Sequence, residues 1–452
     1  MDPINTLVQE IDELPELQIF GTVFAIQGLM ITAKINSKAV GMGSRCLIKT
    51  QQGTDLLAEV VGFDKEAVLL MPFGNLMGIS PGCRVYFANS DSLIYPHISW
   101  KGRVINALAQ PIDNGAPLIK GPIAHLLHQS PPSSHSRMRV EKPLDVGVRA
   151  INTFLTCCEG QRMGIFAGSG VGKSVLMSML TRFTDADVCV IGLVGERGRE
   201  VKEFLEDALG EEGLKKSIII VSTSDEPALM RRQAAYLTLT IAEYFRDLGL
   251  SVLCMIDSIT RFAMAQREIG LSTGEPPTTK GYTPTVFAEL PKLLERAGPG
   301  VSLAPNQKLG NITGFFTVLV DGDDHDEPIA DAVRGILDGH IVLDRSIAER
   351  GHFPAINILR SISRTVPACH TEDQQLTVKE ARRVLSVYED MADMIRLGAY
   401  RPGSNQEVDE AILLYPKLMA FLAQEQHEKT SLPDAFRDLH EALKGENPNQ
   451  ST

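Results

Sequence analysis

Apolar and polar positions change their spacing several times along the chain, and each change predicts a different kind of structure. Residues 1–16 place apolar side chains at helical spacing, which predicts a short amphipathic helix, either a docking arm or a frayed lead-in. From 17 to about 90, short apolar runs are separated by glycine turns, a pattern typical of a small antiparallel barrel. That stretch carries no catalytic motif, so we expect the barrel to tie subunits together.

A connector and then a long alternating region follow the predicted barrel. Residues 91–145 contain several prolines and are predicted to form a connector, in which the polar patch 129–134 is predicted to be loop. From about 143 to 363, apolar strands alternate with helical stretches, as in a parallel sheet covered by helices on both faces. Ligands of such sheets bind beyond the carboxyl ends of the strands, so we expect chemistry in the residues that follow each strand. The predicted strands are 163–166, 188–194, 217–221, 251–256 and 315–320.

The last part of the chain, 371–445, repeats apolar positions at helical spacing and predicts helices. One predicted helix buries a face that includes Val378 and Leu385. A second buries a face that includes Leu413 and Leu418. We expect the final residues to be disordered. The predicted domains are an N-terminal arm (1–16), a β-barrel (17–90), a sheet domain (91–370) and a helical domain (371–452).

The stretch 167–174 has the spacing of a phosphate-binding loop. It reads Ala-Gly-Ser-Gly-Val-Gly-Lys-Ser and lies between an apolar strand and the start of a helix. Gly168, Gly170 and Gly172 let consecutive backbone N–H groups and the helix N-terminus face one anion. Ala167 replaces the usual first glycine, and an alanine is tolerated at that position if its φ angle is negative.

The polar side chains of this loop are the ones that nucleotide chemistry requires. Lys173 is expected to reach the β- and γ-phosphates of a nucleotide, and the Ser174 hydroxyl to hold Mg²⁺. Ser169, Val171 and Val175 complete the predicted nucleotide contacts. A glycine-rich turn with an incidental lysine is the alternative interpretation.

Acidic residues follow two of the predicted strands. Asp257 comes directly after one strand and is placed to orient the water shell of Mg²⁺, although an aspartate that only starts a turn fits the same pattern. Glu196 follows another strand, where it is placed to polarise the water that attacks the γ-phosphate. Arg197 beside it is a candidate for holding the site. A solvated charge cluster at a helix start explains Glu196 and Arg197 equally well.

Composition narrows the class of protein. The chain has 452 residues and a net charge of −12, which argues against binding of nucleic acid across a broad face. Its seven cysteines are scattered and contain no C-x-x-C pair, as expected for buried apolar residues in a reducing cytosol. Because no apolar stretch approaches the roughly 18 residues of a spanning helix, we expect membrane contact only through partners.

The segment 354–363, Pro-Ala-Ile-Asn-Ile-Leu-Arg-Ser-Ile-Ser, matches the signature P-[SAP]-[LIV]-[DNH]-x-x-x-S-x-S of the rotary ATP synthase α/β family. Further segments resemble that family in the same order, including 195–200 and 281–284. Within the family the chain is most similar to the type III export ATPases, the flagellar members in particular, because of the segments 166–174, 320–325 and 395–400. The resemblance runs from about residue 17 to 425.

The resemblance implies an α/β fold with a small N-terminal β-barrel, a central RecA-like parallel-sheet ATPase domain and a C-terminal helical domain. It also implies roles for individual residues. Glu196 resembles the catalytic glutamate and Arg197 the arginine beside it, and Arg364 resembles the arginine finger that enters a neighbouring subunit's site. Phe353 is similar in place to the aromatic that stacks on adenine, with ordinary core packing as the alternative. Tyr400 is a further candidate for the same pocket.

The activity implied by the resemblance is Mg²⁺-dependent hydrolysis of ATP by a homohexamer that drives flagellar protein export. Such a motor releases substrates from chaperones and delivers them to the export gate. The implied partners are a stator-like regulator, a coiled-coil stalk protein, the membrane protein of the export gate and substrate–chaperone complexes, with no nucleic acid. The implied location is the cytoplasm, peripheral to the inner membrane. A virulence secretion (injectisome) ATPase is the alternative, followed by a subunit of a rotary ATP synthase.

Two segments depart from the family pattern. Residues 301–308 make the loop after Gly300 longer than the resemblance predicts, which affects the expected partner contacts more than catalysis. Residues 323–327 are Asp-Asp-His-Asp-Glu, and we interpret them as a solvated acidic loop near a subunit boundary in preference to a metal site.

Overall fold

A computed structural model of the chain describes its barrel, its sheet domain and its C-terminal helices. The described residues are 19–35, 40–64, 67–87, 93–133, 135, 137–301, 309–320 and 327–444. The predictions for the N-terminal arm, for most of the loop 301–308 and the acidic loop 323–327, and for the residues after 444 lie outside this set.

Six strands form a closed barrel at the start of the described chain. They pair in the order β1-β2-β5-β4-β3-β6, and β1 closes the barrel against β6. Alternate residues point inward, so that Val23, Ile31, Ile48 and Val85 fill the interior. Closure leaves no free strand edge, and the predicted antiparallel barrel is confirmed. The strands are β1 (Ile19–Gln27), β2 (Met30–Ile35), β3 (Arg45–Lys49), β4 (Asp55–Asp64), β5 (Ala67–Pro72) and β6 (Arg84–Phe87).

The connector is more ordered than the sequence predicts. Its strands β7 (Leu93–Ile94) and β9 (His125–Leu126) pair with each other, and Ile98–Trp100 forms a 3₁₀ turn. Strand β8 (Val104–Asn106) joins the edge of the large sheet by pairing with the strand that begins at Ser217. The polar patch predicted to be loop has no helix or strand in its described residues, 129–133, whereas the short strands elsewhere in the connector have too few residues to produce a periodic signal.

The central domain is a mostly parallel sheet in which the strand order is β17-β16-β10-β15-β13-β11-β12-β8, with β14 paired antiparallel to β15. Neighbouring residues of one strand enter opposite cores: Val188 and Val190 pack on one face, Cys189 and Ile191 on the other. This explains the continuous apolar runs in the sequence. The strands are β10 (Arg162–Ala167), β11 (Val188–Glu196), β12 (Ser217–Thr223), β13 (Ser251–Asp257), β14 (Gly298–Pro299), β15 (Asn311–Leu319), β16 (Gly339–Leu343) and β17 (Ile362–Ser363).

Helices cover both faces of the sheet, as predicted. One face carries α5 (Ala228–Asp247), α6 (Ile259–Ser272), α7 (Pro284–Leu294) and α8 (Pro328–Ile336). The other carries α1 (Arg149–Phe154), α2 (Lys173–Phe183), α3 (Gly198–Glu203), a π-helical turn (Phe204–Leu209), α4 (Gly210–Lys215) and the C-terminal helices. A 3₁₀ turn (Thr279–Gly281) and α9 (Arg345–Glu349) complete the domain.

Three C-terminal helices pack against one another and against the sheet domain: α10 (Glu372–Arg396), α11 (Gln406–Leu422) and α12 (Leu432–Leu443). Thr371 and Gln374 form a reciprocal capping box that fixes the start of α10. The predicted face of α10 is buried, whereas Leu413 of α11 is 54% exposed and the prediction for it is wrong. Leu414 takes its place in the core, because it lies four residues before the buried Leu418 and therefore on the same face of the helix.

The helices of the described residues include none that is long and apolar enough to cross a membrane.

A fully buried ion pair fastens the connector to the sheet domain. Arg296 is 1% exposed, and its guanidinium donates to the Glu243 carboxylate from Nε at 2.9 Å and from Nη2 at 2.6 Å. The same guanidinium donates to the Leu127 carbonyl at 2.6 Å and to the Thr240 hydroxyl at 2.9 Å. Arg296 has three partners, whereas the Glu243 carboxylate depends on the Arg296 guanidinium for its pairing, so the loss of Arg296 would leave that buried charge unpaired.

We therefore predict that Arg296→Met destabilises the protein strongly, because it leaves the Glu243 charge buried without compensation. A loss of about 3–5 kcal/mol is expected when one member of a buried pair is removed. The midpoint of urea unfolding, followed by the fluorescence of the single tryptophan, Trp100, measures it. Arg437→Ala removes an exposed pair with Asp434 and serves as the control. Equal unfolding midpoints for the two variants would contradict the role given to Arg296.

Candidate active site

The phosphate loop lies at the carboxyl edge of the central sheet. Strand β10 lies between β15 and β16 and ends at Ala167, and α2 begins at Lys173. Gly170 and Gly172 adopt φ angles of 78° and 90°, which only glycine adopts readily. Ala167 remains in the extended strand and is not among the non-glycine residues with positive φ in the described chain, so its substitution for glycine costs no backbone strain.

Lys173 is held between two carboxylates from neighbouring strands. Its Nζ donates a short hydrogen bond to Asp257 Oδ1 and lies 3.4 Å from Glu196 Oε1. Glu196 ends β11 and Asp257 ends the adjacent β13, as expected of chemistry at the carboxyl edge. The Thr317 hydroxyl donates to Asp257 Oδ1 at 2.6 Å and fixes that carboxylate. The three charged side chains are between 7% and 13% exposed, so this is a largely buried charge cluster.

The electrostatics of the cluster suit proton transfer near neutral pH. Burial, reinforced by the negative charge of Asp257, raises the pKa of Glu196 to about 7, while Lys173 opposes the shift. Burial also lowers the pKa of Lys173, but Asp257 and Glu196 outweigh it, so the net pKa of the lysine is raised. Lys173 therefore stays charged, and Glu196 is poised to accept a proton.

A cleft of about 430 Å³ opens over the loop, a volume in the usual range for small-ligand sites. Arg261 lines it, although no motif marked this residue in the sequence. It follows Asp257 by one helical turn at the start of α6, and this spacing is the signal that could have identified it. A Cβ atom on Gly195 would lie 2.8 Å from Arg261 Cβ, so the glycine gives the arginine its place. Its Nε is buried and has no hydrogen-bond partner in this structure.

The other predicted nucleotide contacts divide into two groups. Gly168, Ser169, Ser174 and Val175 line the cleft, whereas Val171 is buried beneath the loop. Phe353 lies against the loop, since a Cβ on Gly172 would be 3.4 Å from its ring. This ring is 44% exposed, so it does not have the burial expected of ordinary core.

The structure places three predicted residues away from the Lys173 cluster. Arg197 lines the rim of the cleft, with its side chain 78% exposed and 3.3 Å from Glu200. Arg364 follows β17 at the far edge of the sheet, is exposed, and donates to the Arg334 carbonyl at 3.4 Å. The Tyr400 hydroxyl lies 2.9 Å from the Asn405 carbonyl and from Asp409, in the turn between α10 and α11. A nucleotide contact by Tyr400 stays a prediction.

The oxygen atoms at the mouth of the loop fit Mg²⁺, which keeps part of its water shell, better than a metal ion that is coordinated only by protein side chains. The described residues contain no group of three or more His, Cys, Asp or Glu side chains that could hold a metal ion. Ser174 and Asp257 supply one hydroxyl and one carboxylate at the mouth of the loop. Mg²⁺ typically takes one or two protein oxygens and completes its shell with water and substrate phosphates, which is the environment that this cleft offers.

Three family models cover most of the chain. The ATP synthase alpha/beta family matches with its beta-barrel domain at residues 23–89 and its nucleotide-binding domain at 147–363. The T3SS EscN ATPase C-terminal domain matches residues 370–441. These matches follow the barrel, the sheet domain and the C-terminal helices in order, and the predicted fold class is confirmed.

Curated relatives match over nearly the full length. The chain is 54% identical to the flagellum-specific ATP synthase of Caulobacter vibrioides, covering 98% of this chain and 100% of the relative. It is 50% identical to that of Bacillus subtilis, covering 96% and 98%. A type 3 secretion system ATPase of Xanthomonas euvesicatoria is 44% identical, with 93% of each chain covered.

Solved structures agree with the sequence matches. The assembled ATPase EscN of the enteropathogenic E. coli type III secretion system superposes with a TM-score of 0.87 at 39% identity. EscN in complex with its central stalk EscO superposes with a TM-score of 0.84, also at 39% identity. Each match covers 94% of this chain and 100% of the EscN chain.

We predict that Lys173→Ala binds ATP about 10- to 100-fold more weakly, because a hydrogen bond to a charged group is worth about 1.5–3 kcal/mol. Titration of a fluorescent ATP analogue measures the affinity. Lys202→Ala, on the exposed face of α3, removes a lysine without touching the cleft and is the matched control. Unchanged affinity in the Lys173 variant would remove this lysine from phosphate binding.

Proposed function

Because the chain belongs to the ATP synthase alpha/beta family, in the branch of flagellum-specific ATP synthases and type 3 secretion ATPases, we propose that it is the ATP-hydrolysing motor of flagellar protein export. The observation that carries hydrolysis is the buried Lys173 between Glu196 and Asp257 at the phosphate loop. The observation that carries the flagellar assignment is the near full-length identity of 54% and 50% to the flagellum-specific relatives of Caulobacter vibrioides and Bacillus subtilis, against 44% to the type 3 secretion relative.

Each residue of the cleft has one task in the proposed reaction, ATP and water to ADP and phosphate. The backbone of residues 168–172 and the N-terminus of α2 cradle the phosphates, and Lys173 exchanges a carboxylate for the β- and γ-phosphates. Glu196 orients the attacking water and accepts its proton, which its raised pKa favours. Arg261 faces the cleft with an unpartnered Nε, a position suited to the γ-phosphate.

Mg²⁺ is the proposed cofactor, held by the Ser174 hydroxyl and, through water, by Asp257. When bound, the ion neutralises negative charge on the phosphates. Thr317 holds Asp257 in place for this task from the neighbouring strand. Phe353, and Tyr400 with it, are the proposed contacts of the adenine base, since Phe353 lies against the phosphate loop and leaves much of its ring exposed.

Arg364 is the proposed arginine finger of a homohexamer. Its side chain is exposed and follows the edge strand β17, whereas Glu196 lies on β11, near the opposite edge of the sheet. An arginine in this position can exchange its long hydrogen bond to the Arg334 carbonyl for the cleft of an adjoining subunit, where it would stabilise the transition state together with Arg197 on the rim. The assembled EscN, which is similar to this chain, supports an oligomeric motor.

The proposed partners follow from the relatives. EscN forms a complex with its central stalk EscO, and we propose an equivalent coiled-coil stalk here. A stator-like regulator, the membrane protein of the export gate and substrate–chaperone complexes complete the proposed set. We place the motor in the cytoplasm, peripheral to the inner membrane and attached through these partners.

We predict that Glu196→Gln abolishes hydrolysis while ATP still binds, because the amide keeps the shape of the side chain but cannot accept a proton. A fall in kcat of about 10²–10⁴-fold is expected on loss of a general base. Phosphate release and nucleotide titration measure the two properties separately. Glu203→Gln, which alters an exposed carboxylate on α3, is the control.

In cells, the Glu196→Gln variant should export less flagellin than Glu203→Gln. Full turnover by the Glu196 variant would remove Glu196 from its role. Normal flagellin export together with loss of an injected virulence effector would instead favour the injectisome assignment.

We predict that Arg364→Ala binds ATP but turns over slowly even when assembled, since a finger arginine is worth roughly 10³–10⁵-fold in rate. Mixing it with Lys173→Ala should restore activity, because a mixed ring contains sites with Lys173 from one subunit and Arg364 from the next. Phosphate release by each variant alone and by the mixture measures this. A mixture no faster than its components would contradict action between subunits.

A further inference from the structure

The backbone on either side of Arg364 is fastened to the interior of the sheet domain. Ser363 is buried and Thr365 is half-buried, whereas Arg364 between them is exposed. The amide of Arg364 donates to the Asp338 carbonyl at 2.9 Å. The neighbours of the arginine therefore point inward while its guanidinium stays on the surface.

A glutamine at the start of the central strand contacts both of these inward-pointing side chains. Gln161 directly precedes β10 and is fully buried. Its Nε2 donates to the Ser363 hydroxyl at 2.9 Å, and its Oε1 accepts from the Thr365 hydroxyl at 3.0 Å. One side-chain amide thus bonds to the residue before Arg364 and to the residue after it.

Backbone groups fix the direction in which this amide faces. Gln161 Oε1 also accepts from the amide of Cys158 at 2.8 Å, and its Nε2 donates to the Asp338 carbonyl at 3.4 Å. Because a backbone N–H only donates and a carbonyl only accepts, the two ends of the side chain cannot exchange places. Glutamine suits this position, since its one planar group both accepts and donates.

The hydroxyls that Gln161 contacts are also anchored to the residues that follow α1. The Ser363 and Thr365 hydroxyls lie 2.9 Å and 3.2 Å from the carbonyl oxygen of the buried Thr156. They lie 3.0 Å from each other. A buried polar network whose members are paired is rigid, so this one holds the backbone at Arg364 against the start of β10.

We propose that Gln161 is a positioning residue for Arg364, because it clamps the residues on both sides of the arginine to the start of β10. The other end of β10 leads into the phosphate loop, so one strand carries the clamp and the loop. Each subunit thereby presents its arginine in a fixed relation to its own cleft. Gln161 does not line that cleft, and the inference rests on the proposed role of Arg364 in a neighbouring one.

Gln161→Met tests the clamp, because methionine has a similar volume but cannot donate a hydrogen bond. The variant should bind ATP with an unchanged KM and show a kcat about 10- to 100-fold lower, since a misplacement of about 1 Å can cost roughly 10²-fold in rate. Phosphate release over a range of ATP concentrations separates the two constants. Gln233→Met replaces another buried glutamine, on α5, and should keep the rate of the unaltered protein as the matched control. An unchanged kcat in Gln161→Met would overturn the inference.

Mixed rings show in which subunit the substitution acts. A Gln161→Met subunit keeps its own cleft, so mixing it with Lys173→Ala, which carries a well-placed arginine, should raise the rate above that of either variant alone. Mixing it with Arg364→Ala should not, because neither subunit then supplies a well-placed arginine. The reverse pattern would locate the defect in the phosphate loop of the altered subunit and would overturn the inference.

Thr365→Val decides the question if Gln161→Met fails to fold or assemble. It removes one hydroxyl from the network and leaves the bond between Gln161 and Ser363 in place. We expect a smaller fall in kcat than in Gln161→Met, with the same pattern in mixed rings. A Thr365→Val protein with normal kcat would then count against the clamp.

The mixture of Lys173→Ala with Arg364→Ala separates this inference from the proposed function. If that mixture gains no activity, Arg364 loses its role between subunits, and the inference falls with it. If the mixture is restored while Gln161→Met turns over normally, the inference alone is overturned and the role of Arg364 stands.

Discussion

A lysine buried between two carboxylates is the interaction on which this structure depends. Lys173, Glu196 and Asp257 come from three segments far apart in sequence, and each ends or begins an element at the carboxyl edge of the sheet. Charges are costly to bury unless they are paired, so the pairing of Lys173 with both carboxylates keeps the phosphate loop and the two strand ends together. In the proposed reaction, a triphosphate supplies the negative charge that lets Lys173 leave Asp257, and Asp257 would then be available to Mg²⁺.

The rest of the chain positions and supplements this cluster. The parallel order of β10, β13 and β11 brings the strand ends to one edge, with β15 between the first two. The ion pair of Arg296 and Glu243 fastens the connector to the sheet domain on the face of the sheet that α5 covers. Arg364 follows β17 at the far edge of the sheet, so each subunit carries its nucleotide cleft and this exposed arginine in separate places. This separation is why we propose that the working unit is a ring.

Much of the fold and of the site follows from the sequence because both leave local signals. The strands are apolar runs, the loop 167–174 has fixed glycine spacing, and the carboxyl-edge rule places Glu196 and Asp257 beside Lys173. Tertiary packing decides the rest. Strand β8 has three residues and no periodicity, and the exposure of Leu413 depends on the exact rotation of α11. Arg261 has a sequence signal in its spacing from Asp257, but its place in the cleft depends on the room that Gly195 leaves for it.

The most direct test of the central claim is a structure of the assembled protein with Mg²⁺ and a non-hydrolysable ATP analogue. In it, Lys173 should leave Asp257 for the phosphates, and Asp257 should face the metal through water. Arg364 of the adjoining subunit should lie within hydrogen-bond distance of the γ-phosphate. A nucleotide bound while Lys173 remains paired with Asp257, or with Arg364 directed away from every cleft, would contradict the account.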